Sequence, residues 1–248
     1  LASRVQSGKL PPVTQRAPAE PHVVSEKLST GRHGGALNIL MSRAKDIRMM
    51  VVYGYARLVA YTENYELVPD ILKTVDVVDG RRFTFHLRKG HRWSDGKPFT
   101  TEDFRYYWED VANNRMLSPV GPPRAMLVNG RKPVFEVLNE TTVRFSWAQP
   151  NPDFLPALAG PRPLYIYRPA HYLKRLHQRY ADPGKLKRKV AKSGRRNWAA
   201  LHNRKDNQYK NDNPKLPTLQ PWTTRTKPPA QRFVFARNPY FHRVDAKG

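Results

Sequence analysis

Phe83-Thr84-Phe85-His86-Leu87-Arg88-Lys89-Gly90-His91-Arg92-Trp93-Ser94-Asp95-Gly96-Lys97-Pro98-Phe99-Thr100-Thr101-Glu102-Asp103-Phe104 reads as strand, turn and helix in direct succession. Phe83, Phe85 and Leu87 alternate with Arg82, Thr84 and His86, the period of a strand with one buried face. Upstream, Val75 and Val77 alternate with polar neighbours, and Asp79-Gly80 tolerates the positive φ of a tight hairpin turn. This spacing predicts a hairpin over 73–88. Gly90 and Asp95-Gly96 supply further turns. Thr100 then caps a helix expected over 101–114, with Asp103 three residues on as an imperfect capping box. Glu102 and Asp103 suit the positive end of its dipole. Phe104, Tyr107, Trp108 and Val111 fall at i, i+3, i+4 and i+7, one apolar face.

Working outward, a second hairpin is expected from Pro133 to Trp147. It turns at Asn139-Glu140, with Val143, Phe145 and Trp147 alternating. Ala36-Leu37-Asn38-Ile39-Leu40 reads as a strand, followed by a helix-like stretch running into Tyr53-Gly54-Tyr55-Ala56-Arg57. Pro169 suits a first helical position, with Leu173, Leu176 and Tyr180 as that helix's face. Residues 182–232 are basic and punctuated by proline, and Arg232 to Arg237 reads as a strand. Three segments result. Residues 1–35 form an extended N-terminal arm ending in Gly31-Arg32-His33-Gly34-Gly35. Residues 36–170 form a scaffold of hairpins and a helix, and residues 171–248 a basic helix and loop extension ending in a strand. The fold class is α+β, with mixed sheets and helices packed on them.

The chain of 248 residues is 39% hydrophobic and 11% aromatic, which supports a real core and argues against wholesale disorder. It contains no cysteine, so disulfides, zinc–thiolate sites and cysteine nucleophiles are excluded. The apolar run from Met49 to Tyr61 is too short for a membrane span and carries Arg57. No signal peptide is visible. The formal net charge of +24 is uneven: residues 1–170 carry +8 and residues 171–248 carry +16. Such a field attracts anionic partners, whether an acidic protein, a membrane surface or nucleic acid.

A search for catalytic chemistry is negative. There is no phosphate-cradling glycine loop, no Gly-x-Ser-x-Gly elbow and no His-Glu-x-x-His pair. His171 and His177 are six apart, off a common helical face, and read as surface or capping histidines, so no metal or cofactor is expected. Glu102/Asp103 and Glu109/Asp110 read as dipole complement and solvated face rather than as acid–base pairs. Lys185, Lys187, Arg188 and Lys189, with Arg195 and Arg196, interleave with apolar residues and are the candidate contacts for an anionic partner. No nucleic-acid motif accompanies them, and a solvated or partner-facing surface is the better reading. Tyr53, Tyr55, Trp93, Trp108, Trp147, Tyr165 and Tyr167 include aromatics able to line a cleft, though each alone is more often core.

Tyr65-Glu66-Leu67-Val68-Pro69-Asp70-Ile71-Leu72, the strand ending Leu87-Arg88-Lys89-Gly90, and Trp93-Ser94-Asp95-Gly96 through Glu102-Asp103-Phe104 together resemble the signature region of family 5 solute-binding proteins. These are the oligopeptide, dipeptide and nickel receptors of bacterial ABC importers. Asn151-Pro152-Asp153-Phe154-Leu155, Pro163 to Pro169, and Phe235-Ala236-Arg237-Asn238-Pro239-Tyr240 extend the resemblance over roughly residues 35–245. It implies the first lobe of a type II, peptide-binding periplasmic receptor fold, with the second lobe missing from this chain. It implies binding of an oligopeptide or small solute without catalysis, an ABC permease as partner, and a periplasmic location. Tyr53, Tyr55 and Arg57, in the loop after the first helix, would approach the ligand. The main alternative is a truncated receptor-like fold reused as a structural subunit of a larger assembly, held there by an acidic protein partner or an anionic membrane surface. A nucleic-acid binder is the third reading.

Overall fold

The computed structural model describes residues 1–24 and 34–245. The expected end of the arm at Gly31-Arg32-His33 and the three C-terminal residues lie outside them.

Helices α1 (Ala2–Gln6) and α2 (Val13–Arg16) and strand β1 (His22–Val23) open the chain. A 3-10 turn over Ala44–Met49 leads into α3 (Met50–Gly54), then β2 (Val59–Tyr61) and β3 (Leu67–Pro69). Strands β4 (Leu72–Val78) and β5 (Arg82–Leu87) precede α4 (Thr101–Arg105), which continues as a π-helical stretch over Tyr106–Ala112. Then come β6 (Val134–Asn139), β7 (Thr142–Ser146), α5 (Phe154–Ala159), α6 (Ala170–Leu173), α7 (Pro183–Ser193) and α8 (Trp198–Lys205). Strands β8 (Trp222–Thr224), β9 (Phe235–Arg237) and β10 (Arg243–Val244) close the described chain.

The scaffold is an antiparallel sheet in the order β4-β5-β7-β6. Both predicted hairpins are its outer pairs, and β5 and β7 are its centre, with Phe83 opposite Phe145 and Phe85 opposite Val143. Asp79 and Gly80 take φ of 53° and 61° at the first turn, as the sequence requires. The central strands are buried on the phenylalanine face and partly covered on the other, where Thr84 is buried, His86 and Arg144 are half-buried and Arg82 is exposed, while Val77 on the edge strand β4 stays exposed. Phe154 plugs one sheet face, with ring centroids 4.8–5.8 Å from those of Phe83, Phe85, Phe145 and Trp147. Burying such a side chain contributes roughly 2–3 kcal/mol, which gives the Asn-Pro-Asp-Phe stretch its structural purpose.

The segment Trp93 to Phe104 is a staple centred on Asp103. Its Oδ2 accepts from Trp93 Nε1 at 3.0 Å and from the Thr100 N–H at 3.1 Å. Its Oδ1 accepts from the Ala170 N–H at 3.0 Å. Burial pushes Asp103 up to about 6 despite those three donors. The reading of Asp103 and Asp110 as solvated is corrected: both are buried. Asp110 accepts from Tyr180 Oη at 2.6 Å and pairs with Arg105 and Arg179. The helix over 101–114 is corrected as well. Its second half widens to π geometry, which buries Tyr106 and Asp110 in addition to the Phe104, Tyr107, Trp108 and Val111 stripe. A period of 3.6 cannot anticipate that widening.

Gly96 takes φ of 86°, and a Cβ there would sit 2.8 Å from Tyr240 Oη. Glycine is demanded twice over, by conformation and by the approach of a side chain 144 positions later in the chain. Gly96→Ala is expected to cost about 1–3 kcal/mol, read as a shift in the denaturation midpoint. A midpoint unchanged within error would show that Tyr240 moves aside freely.

Three further expectations change. The stretch 36–40 is not a strand: it has no ladder partner among the described residues, and Leu37 and Leu40 are almost fully exposed. The described part of the arm is not extended away from the body. β1 pairs in parallel with β10, Arg16 Nη1 donates to Pro239 O, and Arg88 Nη1 donates to Glu20 O. The helix at Pro169 is short, with Pro169 as its N-cap. His177, expected at the surface, is buried against Trp198 with ring centroids 4.7 Å apart.

Candidate functional site

The segment from Tyr53 to Arg57 leaves α3 through a left-handed residue, Tyr55, with φ 38° and ψ 47°. A tyrosine held in this region carries backbone strain of about 1–3 kcal/mol, so its surroundings must over-determine it. They do. Tyr55 Oη donates to Ala159 O at 3.0 Å and accepts from the Tyr61 N–H at 3.1 Å. Arg243 Nη2 donates to Tyr55 O at 2.6 Å. Gln220 Nε2 donates to Ala56 O at 2.9 Å. Behind this turn, Gly54 packs so tightly on Pro221 that a Cβ would approach its ring to 2.9 Å.

Beneath the segment lies Asp70, buried and shared by four donors. Oδ2 accepts from the Arg57 N–H at 2.8 Å and from Arg243 Nη2 at 2.6 Å. Oδ1 lies 2.8 Å from His242 Nε2 and accepts from Arg243 Nε at 2.9 Å. Burial alone would raise this carboxyl. The hydrogen bonds and charge supplied by His242 and Arg243 outweigh it and hold Asp70 well below the usual carboxylate range. Burial also lowers His242, with the hydrogen bond and charge of Asp70 opposing it.

The three residues singled out from the sequence therefore have different positions. Tyr53 is 58% exposed and free to meet a ligand. Tyr55 is partly buried and holds backbone. Arg57 is 1% exposed, and its Nε, Nη1 and Nη2 donate to Gly160 O, Ala56 O and Pro161 O. A guanidinium so engaged clamps the loop and has little left to offer a ligand. Sequence reasoning passed over Trp222. Gly54 and Pro221 are in contact, so their chain neighbours Tyr53 and Trp222 stand on adjoining segments, and Trp222 is 41% exposed. An aromatic between Pro221 and the polar pair Thr223-Thr224, with no alternating partner, was the available signal. Trp93, Trp108, Trp147 and Tyr167 are core. The six basic candidates from Lys185 to Arg196 lie elsewhere, exposed along α7 and the turn after it.

The model of the bacterial extracellular solute-binding proteins, family 5, matches residues 66–247. The chain belongs to that family. It is 28% identical to the periplasmic alpha-galactoside-binding protein of Rhizobium meliloti (strain 1021), over 98% of this chain and 36% of that protein. It is 25% identical to the periplasmic oligopeptide-binding protein OppA of Escherichia coli (strain K12), over 48% of this chain and 24% of that one. Among solved structures, an oligopeptide-binding protein OppA superposes with a TM-score of 0.88 at 33% identity, covering 98% of this chain and 38% of its own. The binding protein MelB from Agrobacterium fabrum C58, solved with stachyose, gives 0.65 at 25% identity, covering 98% and 37%. The family 5 chain described here thus spans between about a quarter and two fifths of the length of these relatives. Its α+β fold is that of part of a periplasmic oligopeptide-binding protein.

Proposed function

We propose that this family 5 chain contributes one wall of a non-catalytic solute-binding site serving ABC import outside the cytoplasm, with an oligopeptide as ligand. The observation that carries this reading is the superposition on an oligopeptide-binding protein over 98% of the chain at a TM-score of 0.88. Tyr53 and Trp222 are the ligand-facing pair: exposed rings on a backbone fixed by Asp70, Gln220 and Arg243. Rigid aromatic faces give contact area at small entropic cost and tolerate varied side chains.

A second ligand class has a specific observation in its favour. The alpha-galactoside-binding relative aligns over the same 98% of the chain, and the stachyose complex superposes over it too. Aromatic faces serve sugar rings as well as peptides. A purely structural role is less well supported, since the described part of the arm that suggested it folds back onto its own chain.

Calorimetric titration of the chain with a tri- to pentapeptide mixture, and separately with stachyose, tests the reading. Saturable binding of peptides is expected, weakened about tenfold by Tyr53→Ala or Trp222→Ala with the denaturation midpoint unchanged. Binding of stachyose alone would transfer the site to the sugar class. No heat with either ligand at millimolar concentration would sink the proposal that this wall binds solute by itself.

A further inference from the structure

His22 stands where the N-terminal arm meets the body of the chain. β1 is two residues long, and it pairs in parallel with β10. The His22 N–H donates to His242 O and the Val24 N–H to Val244 O, each at 2.9 Å. Upstream, the Ala19 N–H donates to Lys89 O at 2.9 Å. Pro18 and Ala19 pass over Gly90, 3.9–4.0 Å from where a Cβ would stand. A pairing this short falls well below the usual strand of about five or six residues, so the arm belongs to the part of the fold that opens most readily.

The His22 side chain meets a donor. Arg88 Nη2 lies 3.5 Å from its Nδ1. A guanidinium only donates, so Nδ1 accepts and the docked ring is neutral. Arg88 is not free to turn away. Its Nε and Nη2 donate to Asp70 O, its Nη2 also to Leu72 O, and its Nη1 to Glu20 O on the arm itself. A proton on Nδ1 would set N–H against N–H.

The charged surroundings add to that conflict. Facing His22 are Arg88 from the end of β5, His242 and Arg243 from β10, and Asp70 from the end of β3. The His22 and His242 ring centroids are 6.4 Å apart, and His91 stands 5.2 Å behind His242. On the arm, the Glu20 carboxylate is held by Lys73 at 2.8 Å. Asp70 already takes four donors, which fills the lone pairs an imidazolium would need. Burial lowers His22; Asp70 opposes this, and Arg88, Arg243 and His242 reinforce it. A released arm carries an ordinary histidine, so release gains ground as pH falls below about 6.5.

We infer that His22 is a proton-operated latch: when its Nδ1 takes up a proton, residues 18–24 leave β10 and the Lys89–Gly90 turn while the β4-β5-β7-β6 sheet stays folded. The latch sits one residue from the support of the candidate site, since β10 carries Arg243, whose Nη2 holds Tyr55 O. The inference is independent of which solute the chain binds.

Amide exchange of the full 248-residue chain is followed at pH 7.5 and 5.5 and expressed as protection factors, which removes the intrinsic pH dependence of exchange. Opening at the amides of residues 22 and 24 is expected to rise about tenfold over that interval, the response of a single protonation. It should remain far more frequent than opening at the amides of β5 and β7, which report the sheet and serve as the folding control. His22→Asn keeps a side-chain acceptor but does not titrate, and the rise is expected to shrink to less than about twofold. Wild-type arm amides whose opening is the same at both pH values overturn the proposal. So does a tenfold rise that persists in His22→Asn, which would move the proton to His91 or His242. Arm amides that open only together with β5 and β7 overturn it as well.

Discussion

Asp70→Ala is expected to be the most damaging single substitution in this chain, costing about 3–5 kcal/mol. The side chain is buried, and it receives the Arg57 N–H, His242 Nε2 and two nitrogens of Arg243. Removing it leaves a partly buried guanidinium and a buried imidazole without their acceptor, along with an orphaned backbone N–H. Such a loss is a large fraction of the 5–15 kcal/mol typical of a whole domain. The consequences should be spatially specific. His242 and Arg243 tie β10 to the turn at Tyr55, and β10 carries β1, so amide exchange should rise first at residues 22–24, 55–57 and 242–244. Asp70→Asn keeps the shape and one acceptor oxygen but turns the other into an NH2 that faces donors and loses the charge opposite Arg243, and a loss smaller than that of Asp70→Ala is expected. Equilibrium urea denaturation of the three proteins decides the matter. If Asp70→Ala unfolds within 1 kcal/mol of wild type, on the scale set by an ordinary surface substitution, the shared carboxylate is not the keystone proposed here.

The second large effect is acid sensitivity well above the carboxylate range. His91 is fully buried, with neither ring nitrogen hydrogen-bonded among the described residues, and burial holds it well below the usual histidine value. His202 is buried with Nε2 2.8 Å from Tyr106 Oη, and burial lowers it to about 3. His242 is lowered in the same way, with Asp70 opposing. A base whose folded value lies below its unfolded one takes up its proton first in the unfolded chain. These groups therefore stabilise the fold fully above about pH 6.5, and that stability drains away as pH falls towards their folded values. Each histidine that stays neutral in the fold at pH 5 forfeits about 2 kcal/mol there. Asp103 acts in the opposite sense. Raised to about 6, it returns about 1–2 kcal/mol over the same interval, which leaves a net loss. Asp70, held low, keeps its contribution until the pH falls below its unfolded value near 3.9 and lies outside this window. Denaturation midpoints measured from pH 7.5 to 5.0 should fall continuously, and His91→Phe, which lies against Phe99 with ring centroids 5.3 Å apart, should flatten the slope by about one proton. A midpoint constant between pH 7 and pH 5 would mean that these rings reach water in the folded state.

Much of the fold is legible in the residues because local rules carry it. The alternation of Phe83, Phe85 and Leu87, the Asp79-Gly80 turn and the Thr100–Asp103 helix start each act within a few residues, and each stands in the structure. The family was legible for the same reason, its matched region being a contiguous scaffold of turns, a hairpin and a cap. The candidate site was only partly legible. Tyr53 is exposed, as a ligand contact needs, but nothing local separates it from Arg57, four residues on and committed to three carbonyls.

The scaffold, the family and the basic character of the last third are therefore written in short stretches of residues. Periodicity, turn chemistry and charge are properties of neighbouring residues. It took the packing of distant segments to bring Asp70 to a histidine and an arginine more than 170 positions away, to pair the described part of the N-terminal arm with β10, and to turn Asp110 inward on the π-helical stretch. The same packing brought Pro221, the neighbour of Trp222, against Gly54, the neighbour of Tyr53, and opened a groove between α7 and Trp198. Burial and ion pairing depend on which distant segments meet, and that is settled when the whole chain packs.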